Sequence, residues 1–120
     1  MDKEYEQLLN TARANFDSFS LVWQDQFEFN ESAVEFGKLL ERFLANEQYT
    51  DEWPGTKIFG AKARVRTYKV NSESLSVLSQ VKNVFEFICP NYPEDLAFYS
   101  KGKIKFTSIA HEGEAWYEET

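Results

Sequence analysis

The stretch Leu96-Ala97-Phe98-Tyr99-Ser100-Lys101-Gly102-Lys103-Ile104-Lys105-Phe106-Thr107-Ser108-Ile109 decides the fold. Two apolar runs enclose a short loop holding a glycine, the pattern of a hairpin. Ala115-Trp116-Tyr117 returns through the His111-Glu112-Gly113 turn and extends the hairpin to a three-stranded meander. Upstream, Leu75, Leu78, Val81, Phe85 and Ile88 fall at helical spacing and predict a helix that Asn71-Ser72-Glu73-Ser74 opens and Pro90 stops. Before it, Phe59, Ala61, Ala63, Val65 and Thr67 alternate with Gly60, Lys62, Arg64, Arg66 and Tyr68, the plainest strand in the chain.

Further back, Ala33, Phe36, Gly37, Leu40, Phe43 and Leu44 mark the buried stripe of another helix, with a capping box read at Ser32 and Glu35. Gly37 inside it costs on the order of 1 kcal/mol against alanine and so points to a close packing contact. Phe19, Leu21, Trp23, Asp25, Phe27 and Phe29 share one parity of a strand interrupted near Asp25, and Tyr5, Leu8, Leu9, Ala12 and Phe16 predict a helix over residues 2–17. The order helix, strand, helix, strand, helix, then three strands reads as one α+β domain, residues 1–120. It predicts about five mainly antiparallel strands with three helices on one face. One-sided burial then places Lys62, Arg64 and Arg66 on the face opposite the helices, where Lys103 and Lys105 could join them.

Charge is unevenly distributed within a net −7. Residues 1–52 hold twelve acids and four bases, residues 57–69 hold five bases and no acid, and the last fifteen residues carry Glu112, Glu114, Glu118 and Glu119. An acidic chain repels a polyanion at long range, so nonspecific nucleic-acid binding is disfavoured, no nucleic-acid partner is expected and a basic protein is favoured. No apolar run approaches the 18 or so residues that span a bilayer, so no membrane partner is expected. Met1-Asp2-Lys3-Glu4-Tyr5-Glu6 lacks a secretory signal, and the lone Cys89 can form no internal disulfide, which together predict a cytoplasmic location.

Residues able to carry chemistry are few. The single histidine, His111, stands beside Glu112, and Glu94-Asp95 follows Pro93. With no second histidine, no Gly-rich phosphate loop and Cys89 in an apolar setting that raises its pKa, neither metal nor cofactor is expected. His111 is expected to hydrogen-bond near the strand ends. Lys62, Arg64 and Arg66 on alternate residues could meet phosphate or carboxylate groups, or could simply cover an open sheet face and pair with the C-terminal glutamates.

Trp53-Pro54-Gly55-Thr56, the strand ending Tyr68-Lys69-Val70, Tyr92-Pro93-Glu94-Asp95-Leu96 and Ser108-Ile109-Ala110-His111-Glu112 together resemble a family of small standalone bacterial proteins, some similar to the immunity proteins that accompany polymorphic toxins. The resemblance covers residues 53–117 and implies no catalytic residue. It agrees with a non-catalytic protein-binding module whose acidic helices, around Glu4, Glu6, Glu31, Glu35 and Glu41, meet a basic toxin domain. The alternative is a small enzyme or ligand-binding protein with a site at the basic strand Lys62–Arg66, Glu94, Asp95, His111 and Glu112.

Overall fold

The computed structural model describes residues 1–118 and runs α1 (Lys3–Asn15), β1 (Ser18–Trp23), α2 (Glu31–Leu40), β2 (Leu44–Thr50), β3 (Glu52–Trp53), β4 (Thr56–Lys57), β5 (Ala63–Lys69), α3 (Ser72–Leu78), β6 (Glu94–Ser100), β7 (Lys103–Ile109) and β8 (Glu114–Tyr117). Six strands form one antiparallel sheet in the order β2-β5-β1-β6-β7-β8, and β3 with β4 forms a separate hairpin. The architecture is α+β, with three helices among the described residues. None of them is long and apolar enough to cross a membrane.

Side-chain alternation explains the layers. Phe19 and Leu21 of β1, Tyr68 of β5, Phe98 of β6 and Phe106 of β7 pack beneath the helices with Tyr5, Leu8, Leu9, Phe36, Leu40, Leu75 and Leu78. The other face is covered only locally: Val22, Ala63 and Val65 meet Trp53 and Ile58 of the β3–β4 segment. Burying an apolar side chain of this size is worth about 1.5–3 kcal/mol, so the larger helix-side core dominates stability. Asp2 caps α1 by accepting from the Tyr5 backbone N–H at 2.8 Å, and Tyr5 Oη donates to the Leu78 carbonyl at 2.6 Å, tying α1 to the end of α3. The β6–β7 turn places Lys101 and Gly102 at φ +52° and +78°, the left-handed pair of a two-residue hairpin, and Asp17 Oδ2 accepts the Lys101 N–H at 2.7 Å.

Several elements differ from the sequence expectation. β2 has no apolar alternation and pairs only with β5, so it is an exposed edge. The third helix ends at Leu78 and a separate helical turn covers Val84–Glu86, because Asn83 caps the Phe85 N–H; Val84 and Phe87 are buried and Phe85 is exposed. The first strand stops at Trp23 and the basic strand begins at Ala63, leaving Phe59 84% exposed. Asn30, not Ser32, precedes α2, and Ser32 Oγ donates instead to the Asn91 carbonyl at 2.9 Å.

The largest correction concerns the faces of β5. Phe19, Leu21 and Trp23 stand opposite Tyr68, Arg66 and Arg64, so the arginines share the helix-bearing side, and Val65, opposite Val22, lies under the β3–β4 hairpin. Lys103 and Lys105 do not join them, because β1 and β6 intervene between β5 and β7.

Candidate functional site

The acid pair of the alternative site is committed to the fold. Asp95 sits at φ +56°, where a short polar side chain is among the few tolerated. From there Oδ2 accepts the Trp53 indole N–H at 2.9 Å and Oδ1 accepts the Ala110 backbone N–H at 3.1 Å. Glu94 Oε1 accepts from Gln24 Nε2 at 2.8 Å. Burial first, and then the neighbouring acid's charge, holds the Glu94 carboxyl above the ordinary range; burial is the main cause for Asp95 as well, opposed by its two hydrogen bonds.

His111 is exposed and its charge favours ionisation of both acids, but it makes no hydrogen bond among the described residues, contrary to the expectation for it. Glu112 is exposed beside it. Burial, then Glu94, pushes the Cys89 thiol up and keeps it protonated, and its Sγ faces the Glu28 carbonyl at 3.7 Å. Among the described residues no group of three His, Cys, Asp or Glu side chains is placed to hold a metal ion.

The two arginines of the basic strand are paired within the molecule, whereas Lys62 and Lys69 enter no ion pair among the described residues. Arg64 Nε lies 3.0 Å from Asp25 Oδ1, Arg66 Nε lies 2.7 Å from Glu47 Oε1, and Glu47 also reaches Arg64 at 3.9 Å. The expected C-terminal glutamates are not the partners; Glu118 accepts from Trp116 Nε1 and Thr107 Oγ1, and Glu119 lies outside the described residues. Each guanidinium also covers an aromatic ring, Arg64 over Tyr49 at 5.7 Å and Arg66 over Trp23 at 5.4 Å. Lys62 lies over the same Tyr49 ring at 6.0 Å. Trp23 fixes the neighbourhood of α2: a Cβ on Gly37 would stand 2.9 Å from its Cη2, the close contact its glycine implied. A pocket of about 490 Å³ opens there, lined by Trp23, Phe29, Val34, Lys38, Glu41 and Arg66 among others.

The helix acids are divided by α3, which packs against both α1 and α2. Glu4 opens on one groove, Glu6 borders the α1–α3 furrow with Arg13, and Glu41 rims the pocket under α2. Glu35 is paired with Lys38 at 3.6 Å, both largely solvated. Glu4, Glu6, Glu31 and Glu41 enter no ion pair among the described residues.

The groove beside Glu4 was not foreseen. Tyr117 of β8 stands opposite Phe106 with their rings edge to face at 5.3 Å, and Ala115, two residues back, shares that side of the strand. The helices do not extend over it. Phe85 and Tyr117, 40% and 51% exposed, flank a groove that Leu8, Val84 and Phe106 floor and Asp2 and Glu4 rim. Its signal in the sequence was the phase of Phe85, which fits the core only if the third helix continues through it. No protein-family model, curated protein or solved structure matches this chain.

Proposed function

We propose that this chain is a non-catalytic protein-binding module, an immunity-type protein that neutralises a basic toxin domain by covering it. The observation that carries the reading is the excess of unpaired acids over unpaired bases on the helices. Arg64 and Arg66 are matched by Asp25 and Glu47, whereas Glu4, Glu6, Glu31 and Glu41 on the helix layer have no cationic partner in the described residues. Lys3 and Arg13 of α1 are likewise unpaired among the described residues, so a partner approaching the helices meets a net negative surface, these four acids against two bases. Such a field steers a basic surface, raising the association rate more than the final affinity, and its effect fades with salt. Toxins that attack nucleic acid are basic at their clefts because phosphate neutralisation dominates substrate affinity, and an acidic surface competes for that cleft.

The test is capture of the partner from the native cell, followed by surface-plasmon kinetics at several salt concentrations. The association rate should fall as salt rises, and fall further when Glu4, Glu6 and Glu41 are reversed to lysine. A partner whose association is indifferent to both salt and charge reversal overturns the proposal.

A further inference from the structure

Resting on the reading above, the geometry assigns the anchoring contact. We propose that the groove between the start of α1, the Val84–Glu86 turn and β8 seats one aromatic or long aliphatic side chain of the partner, flanked by lysine or arginine. The apolar part follows from composition. Leu8, Val84, Phe106, Phe85, Ala115 and Tyr117 surround about 160 Å³, and a cavity near 150 Å³ is enough for a benzene-sized group. Exposed aromatics lining a concave site are the usual anchors of protein interfaces.

The charge of the occupant follows from the rim. Asp2 and Glu4 line the mouth, and Glu86 lies close enough to the groove's Tyr5 for its charge to add to burial in keeping that phenol protonated. None of these three acids forms an ion pair in the described residues. The larger pocket under α2 makes no such demand, since its lining carries both signs of charge, Lys38 and Arg66 as well as Glu41 and Glu47. The β8 groove combines an apolar floor with acids as its sole charged lining among the described residues.

The probes are three capped tripeptides, Lys-Trp-Lys, Lys-Ala-Lys and Glu-Trp-Glu, titrated into the isotope-labelled full chain and followed by amide chemical shifts. Lys-Trp-Lys should shift Val84, Phe85, Ala115 and Tyr117 saturably, with Lys-Ala-Lys at least fivefold weaker at those amides and Glu-Trp-Glu without effect. Ala115→Phe, at an exposed edge position, should fill the groove and abolish these shifts; should that variant not fold, Glu4→Lys should weaken Lys-Trp-Lys at least threefold. Equal response to Lys-Trp-Lys and Lys-Ala-Lys, binding of Glu-Trp-Glu as tight as Lys-Trp-Lys, or survival of the shifts in the folded variant overturns the assignment. Shifts confined to the amides of Glu6, Glu31 and Glu41 would overturn the groove and leave the acidic-surface proposal standing. No shift with any lysine peptide would overturn the groove assignment, while the salt dependence of partner association tests the acidic surface separately.

Discussion

Glu94 and Asp95 lie in the sheet with 7% and 3% of their surface exposed, whereas Glu4, Glu6, Glu31 and Glu41 stand in water on the helices. The chemistry of the group is identical and the work it does is opposite. An enclosed carboxylate loses solvation and persists because donors surround it, here the Trp53 indole, the Ala110 amide and the Gln24 amide, so its role is to join segments of the chain. A solvated carboxylate without a cation contributes little to stability and keeps its field available to another molecule. The inner acids define the fold and the outer acids define what it can meet.

The sharpest way to break this contrast is to remove an inner acid. Asp95→Ala leaves two buried N–H donors without an acceptor, at about 1–3 kcal/mol each, and should cost about 3–4 kcal/mol in urea unfolding. Asp95→Asn, which keeps one acceptor and tolerates the left-handed backbone, should cost less than half of that. A value for Asp95→Ala under 1 kcal/mol would remove the distinction. Next, Val65→Asp puts a carboxylate into the interior with no donor waiting. The expected loss is about 2–3 kcal/mol, moderated because Val65 borders a cleft beside Asn46, Gln48 and Thr67 through which water can approach. Arg64→Ala, its neighbour on the solvated helix side, should stay within about 1 kcal/mol, and the reverse order in thermal melts would contradict the assigned faces.

A smaller effect sharpens the comparison through pH. Both inner carboxyls are raised in the folded state, so they bind a proton more tightly there than in the unfolded chain. Their contribution is therefore least favourable above the raised folded values, and improves as pH falls from those values toward the ordinary carboxylate value near 4. Glu94→Gln keeps the oxygen that accepts from Gln24 while discarding the charge. Its stability should be between 0 and about 1 kcal/mol higher at pH 7, with a flatter slope as pH falls toward the ordinary carboxylate value. A loss at pH 7 would show that the ionised form is the one the fold requires. Smallest of all, Glu4→Lys and Glu41→Lys should each change unfolding free energy by less than about 0.5 kcal/mol. A larger loss would mean that these acids are structural after all.

The sequence exposes the fold wherever one face of an element is much more apolar than the other. α1 is found almost residue for residue, and the β6–β7–β8 meander follows from two apolar runs about Lys101-Gly102. β2 is invisible because an edge strand with both faces in water needs no apolar parity; Ala45-Asn46-Glu47-Gln48 is chosen for solvent. β5 misleads for another reason. Both its faces are covered, the one under the hairpin by small Ala63 and Val65, the one under the helices by Tyr68 and by the Arg66 stem over Trp23, so apolar count selects the wrong side. Tyr68, fully buried and stacked on Phe19 at 5.3 Å, was the residue that marked the helix side.

The candidate site was legible only in its charge. Glu4 and Glu41 could be read as exposed from helical phase, but that they border different cavities depends on where α3 lies. That Asp95 is buried depends on a backbone conformation and a tryptophan 42 positions away.

The strand order also governs how the molecule can assemble. β1 comes from residues 18–23, yet it is zipped between β5, residues 63–69, and β6, residues 94–100. Pairings between chain neighbours are confined to the β3–β4 hairpin and the β6–β7–β8 meander. Until β6 arrives, β1 has one bare flank, and the apolar stripes of α1 and α2 lack most of the surface they bury against. Long-range pairing of this kind closes large loops before it is rewarded, which slows folding. A chain cut before Glu94 should therefore remain unfolded, and the meander is the one part of the main sheet able to form early and wait for the rest.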